Sequence, residues 1–117
     1  MSDENFKKNF QNHVNEIADY LEEIKENNFF EDENEEQSYF DDTYNVDFIW
    51  RLGCGLMGVR IMVACGGPNI WVDTYNREVH GYWGCDEVTA PLSIDCCDLI
   101  DALYEDGVQD MIYNDRN

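Results

Sequence analysis

The sequence predicts an α+β domain: an N-terminal helix, a four-stranded antiparallel sheet and a C-terminal helix, with an acidic segment between the first helix and the sheet. Three observations predict it. Apolar residues recur at helical spacing near the N-terminus, a glycine-punctuated run of β-formers fills the middle, and a second helical stripe begins at Ser93. At 117 residues, 44% of them apolar, the chain has room for one core, so residues 1–117 are read as a single domain.

In the first helix, expected over residues 4–27, Phe6, Phe10, Val14, Ile17, Leu21 and Ile24 fall on one stripe, while Lys7, Lys8, Glu22, Glu23 and Glu26 lie elsewhere. Asn27 and Asn28 are suitable terminators. Residues 28–45 follow as the acidic segment. From Val46 to residue 92 the composition turns to β-formers. "VDFIWRL" and "LMGVRIMVAC" make two strands, and "NIWVDTY" and "REVHGYW" flank Asn76 as a hairpin. The last helix is expected over 93–107, with Ser93 as N-cap and Gly107 as C-cap. Ile94, Cys97, Ile100, Leu103 and Tyr104 supply its apolar stripe, and "VQDMIY" reads as a further short turn or strand.

Charge is the strongest functional signal. Twenty-six acidic residues face seven basic ones, for a formal net charge of −19. Solubility of a small domain needs a net charge of only about 2–8. Duplex DNA carries one charge per ~1.7 Å of axis, so an excess of this size matches roughly 32 Å of duplex. Such a surface repels nucleic acid and anionic membranes and suits a basic partner. "FFEDENEEQSYFDD", residues 29–42, concentrates seven carboxylates among four aromatic rings. Glu31, Asp32, Glu33, Glu35, Glu36, Asp41 and Asp42 are the expected partner-binding acids, with Tyr39 and Phe40 as apolar anchors. Asp98, Asp101 and Glu105, stepping along the last helix, form a second patch.

Catalytic chemistry finds little support. A thiol enzyme needs a base within reach, and only His13 and His80 are present. The five cysteines show no framework spacing and read as free thiols of a reducing cytoplasm, with Cys65 and Cys97 as small buried hydrophobes. No C-x₂-C pair exists, although Cys54, Cys65, His80 and Cys85 can in principle converge across strands as a zinc site. The acidic run lacks the central glycine of a calcium loop. No catalytic residue, metal or cofactor is therefore assigned. The start "MSDENFKKNF" has no apolar core of a secretory signal, and no apolar run has the ~20 residues of a membrane span.

In size, acidity and the texture of "FFEDENEEQSYFDD", the chain resembles the small inhibitors that phages and plasmids direct against bacterial defence, of anti-CRISPR and antirestriction type. The C-terminal third is similar to the ArdB/KlcA antirestriction family: "CGGPNIWVD", then a helix of the pattern S-x-D-x-x-x-L-I-x-x-L-Y, met by Ser93, Asp95, Leu99, Ile100, Leu103 and Tyr104. It departs from that family in its heavier acidity and its "GYWG" strand end. The resemblance implies an inhibitor in the host bacterial cytoplasm, monomer or homodimer, that mimics nucleic acid in the basic groove of a CRISPR effector or restriction enzyme. An immunity protein against a nuclease toxin is one alternative. A thiol- or zinc-dependent enzyme using Cys65, His80 and Cys85 is another, and an accessory protein with merely adaptive acidity a third.

Overall fold

The computed structural model of the chain describes the backbone of residues 2–27, 29, 39–40 and 43–115 and the side chains of residues 5–27, 29, 39–40 and 43–105. Helix α1 spans Ser2–Ile24 and ends in a 3₁₀ turn, Lys25–Asn27. Five strands follow, β1 (Asn45–Arg51), β2 (Gly55–Ala64), β3 (Asn69–Asp73), β4 (Glu78–Trp83) and β5 (Asp86–Pro91), and then helix α2 (Ile94–Asp115). The strands form one antiparallel meander in sequence order.

The fifth strand corrects the expectation of four. "DEVTAP" opens on two acids and closes on proline, and it offers the core only Val88 and Ala90. Such a sequence is tolerated because β5 lies at the sheet edge, where proline costs no ladder bond. Gly84, at φ 61°, makes the tight reversal from β4. The Gln11 side-chain amide donates to the Thr89 carbonyl at 2.8 Å, occupying part of the bare edge.

Strand register sorts the two sheet faces. Val46, Ile61, Val72, Val79 and Ala90 pair in one row across all five strands and face the helices. Both helices pack on this face. Of the predicted stripe Phe10, Val14, Leu21 and Ile24 are buried and Phe6 and Ile17 half-buried; Ala18, outside it, is also buried, beside Cys96, Cys97 and Ile100 of α2. Each large apolar side chain buried here contributes about 1.5–3 kcal/mol. Gly81 lets α1 come close: a Cβ there would lie 2.7 Å from Phe10 Cζ and 3.0 Å from Val14 Cγ2. Trp83 closes that end, edge-on to Phe6 at 5.1 Å between centroids.

Two further expectations are corrected. Helix α2 runs through Gly107 to Asp115, so Gly107 is no cap and "VQDMIY" is helical backbone. One interior glycine costs about 1 kcal/mol, and no proline follows to enforce a stop. On its buried side Cys96 joins Cys97 and Ile100, whereas Ile94 and Leu103 are exposed. At the end of α1 the chain turns at Phe29, which has φ 66° and donates its N–H to the Ile24 carbonyl at 3.0 Å.

Candidate functional site

The expected partner-binding residues have separate fates. Glu31, Asp32, Glu33, Glu35, Glu36, Asp41 and Asp42 lie outside the described residues. Phe40 belongs to the core. It is 5% exposed and packs edge-on against Phe29 at 5.3 Å and Tyr104 at 6.4 Å, inside its own fold. Tyr39 is half-buried beside Phe40 and Tyr20. The two aromatics therefore pack on the core through Tyr20, Phe29 and Tyr104.

On α2 the three predicted acids do not form one outward ladder. Asp98 and Glu105 are exposed, but Asp101 turns toward the sheet and accepts a hydrogen bond from the Thr74 hydroxyl at 2.6 Å. That same hydroxyl accepts the Val59 N–H at 2.8 Å, and the Thr74 N–H donates to the Val59 carbonyl at 2.9 Å. Asp101 thus ties α2 to β2 through Thr74. Burial pushes its carboxyl above the ordinary value; the bond from Thr74 opposes this, while Asp98 and Glu105 add to it.

The junction of the helices holds a second carboxylate with a structural task. Ser93 caps α2, its hydroxyl accepting the Cys96 N–H at 3.1 Å. Glu22 Oε1, from α1, accepts both the Ser93 hydroxyl at 2.8 Å and the Ser93 N–H at 3.2 Å. Burial acts to raise the Glu22 carboxyl, but the bonds from Ser93 and Cys96, with Lys25 nearby, outweigh it and hold it below its ordinary value.

The thiols and histidines are dispersed. Cys54, Cys65 and Cys85 are exposed and Cys96 and Cys97 are buried, all free, so Cys65 is not the small core residue its apolar strand suggests. Burial, then the hydrogen bond and charge of Glu22, push the Cys96 thiol up to about 12; burial, then Asp101, do the same to Cys97, also about 12. Such thiols are poor nucleophiles at neutral pH. Among the described residues no group of three or more His, Cys, Asp or Glu is arranged to hold a metal ion. No described helix is long and apolar enough to cross a membrane.

The sheet face turned away from the helices was not singled out by the sequence. Asn45, Met62, Trp71, His80 and Thr89 form one row on it. Asp47, Arg60, Asp73, Glu78 and Pro91 form the next, and Asn69, Tyr82 and Glu87 a third. His80 sits between carboxylates: Nε2 is 2.6 Å from Glu87 Oε1, and Nδ1 is 3.5 Å from Glu78 Oε2 and 3.3 Å from the Tyr82 hydroxyl. Arg60 lies over the Trp71 ring at 4.7 Å, with its Nε 3.4 Å from the buried Asp73. The period-two alternation of "NIWVD" and "EVHGYW" is the signal that finds this face. No protein-family model matches the chain, and comparison with curated proteins and with solved structures returns no match.

Proposed function

We propose that the protein inhibits a bacterial defence nuclease by occupying its basic DNA- or RNA-binding groove, with a CRISPR effector as the first candidate target and a restriction enzyme as the second. The observation that carries this is the formal net charge of −19 on 117 residues. Carboxylates in that number match the sign and roughly the linear charge density of a phosphate backbone and steer a basic partner from a distance. Asp98 and Glu105, exposed on α2, contribute to that field together with the acids of residues 31–42. Of the six positions that carry the resemblance of "LSIDCCDLIDALY" to antirestriction proteins, Ser93 caps α2, Ile100 is buried and Tyr104 half-buried, while Asp95, Leu99 and Leu103 are exposed.

The test is affinity capture of the tagged chain from a bacterial lysate at low and moderate salt, followed by nucleic-acid binding assays on the captured enzyme. Recovery of a nuclease that loses its DNA or RNA when the chain is added, and regains it as salt rises, supports the reading. Capture of no such enzyme, or of one whose nucleic-acid binding is unaffected, overturns it.

A further inference from the structure

We propose that the sheet face opposite the helices is the contact surface for arginine side chains of a basic protein partner, with Tyr82 and Glu87 as its centre. This rests on the reading above that the partner is basic, and it assigns short-range contact to this face while the remaining acids supply long-range attraction.

The charges on the face are unbalanced in the required direction. Asp47, Glu78 and Glu87 join Asp73 there, four carboxylates against two guanidiniums, Arg60, which is engaged with Asp73, and Arg51 at the end of β1, which shares the alternation of Asp47. His80 adds at most one positive charge between two carboxylates. The face also carries rings. Arg60 over Trp71 shows that a guanidinium stacks on this surface. One row away, Tyr82 is 37% exposed and stands directly across the ladder from Glu87, whose side chain is 60% exposed. Cross-strand neighbours hold their Cβ atoms about 4.5–5.5 Å apart. An exposed ring beside an exposed carboxylate offers both things a guanidinium uses, a π face and a planar pair of acceptors.

The carboxylate is also held in place. His80 fixes Glu87 through Nε2, while Glu78 and the Tyr82 hydroxyl flank its other nitrogen. The His80 and Tyr82 rings lie 4.3 Å apart. Groups oriented before binding lose less freedom on binding, which favours this site over acids on flexible stems. Lysine, a point charge without a planar fork, gains less from the same geometry.

The experiment titrates the isotopically labelled full chain with a blocked peptide of alternating arginine and serine at low ionic strength, followed by amide and indole NMR shifts. The lysine–serine counterpart is run in parallel. Expected are shift changes confined to Asn69, Trp71, His80, Tyr82 and Glu87, tighter binding of the arginine peptide, and a loss of about tenfold, equivalent to about 1.4 kcal/mol, in Glu87→Gln combined with Tyr82→Ala. Tyr82→Phe, which keeps the ring, retains binding, and the dispersion of each variant's spectrum establishes that it is folded. Shifts centred on Asp98 and Glu105 or elsewhere, or equal binding of both peptides, overturn the proposal while leaving a basic partner in place. Absence of binding by either peptide overturns the proposal and the basic-partner reading together.

Discussion

Glu22 completes the cap of a helix to which it does not belong. In an ordinary capping box the glutamate three residues inside a helix returns to the N-cap N–H. Here the residue at that position is Cys96, and Glu22 of α1 reaches the Ser93 N–H and hydroxyl instead. The contact joins α1 to α2 and sets a carboxylate at the positive end of α2.

Ser93→Ala therefore removes a cap and takes the hydroxyl donor from Glu22, which keeps the backbone N–H of residue 93. A loss of about 1–2 kcal/mol is expected from urea unfolding at neutral pH. Glu22→Gln costs less at pH 7. Because the Glu22 carboxyl is held below its ordinary 4.5 in the folded state, its contribution is complete above that value and is lost as pH falls through the folded value. The difference between wild type and Glu22→Gln should shrink in acid, which unfolding curves at pH 7 and pH 3 will read.

Asp101 behaves in the opposite sense. Its folded carboxyl titrates above the ordinary 3.8, so its ionised form lowers stability as pH rises through the folded value. Asp101→Asn keeps an oxygen for Thr74 and removes the repulsion from Asp98 and Glu105. Thermal unfolding should show the variant more stable at pH 7, by a few tenths to about 1 kcal/mol, with the gain vanishing below the ordinary value. Thr74→Val has the reverse effect, a loss of about 1–3 kcal/mol, because the Val59 N–H is left buried without its acceptor.

Two glycines mark places where elements meet too closely for a methyl group. At Gly58 a Cβ would lie 2.7 Å from Tyr75 Cβ and 2.9 Å from its backbone N and Cα. At Gly81 it would meet the Phe10 ring. Both alanine variants should lose about 1–3 kcal/mol. Gly58→Ala should be the worse, since backbone yields less readily than a ring, and denaturant midpoints of the pair decide it.

Thiol labelling gives a simple check on the packing of α2. Cys54, Cys65 and Cys85 are exposed, whereas Cys96 and Cys97 are buried with thiols pushed up to about 12. Mass spectrometry after brief alkylation at mildly basic pH should show three rapid additions, with two more only on unfolding.

The parts of the fold legible in the sequence are those whose periodicity carries its own burial. The stripe from Phe10 to Ile24 and the glycine-bounded strands belong to this class. Strand β5 escaped because an edge strand shows the core only Val88 and Ala90. Phe29 and Phe40 escaped for another reason. An aromatic residue among acids reads the same whether it enters its own core or a partner's, and only tertiary contact separates the two. Asp98 and Glu105 were placed correctly on the α2 exterior, but the inward turn of Asp101 depends on Thr74, 27 residues away. Glu87 came opposite Tyr82 only once the fifth strand was in register.

The meander has a consequence for how the protein is made. Each strand pairs with the one synthesised just before it, yet α1, which precedes them all, packs on β4 and β5, the last two strands. The apolar stripe from Phe10 to Ile24 must wait for more than fifty residues of later chain before Gly81 and Trp83 arrive to receive it. A fragment ending before residue 78 should therefore leave the stripe of α1 open to protease, and the 117-residue chain should not.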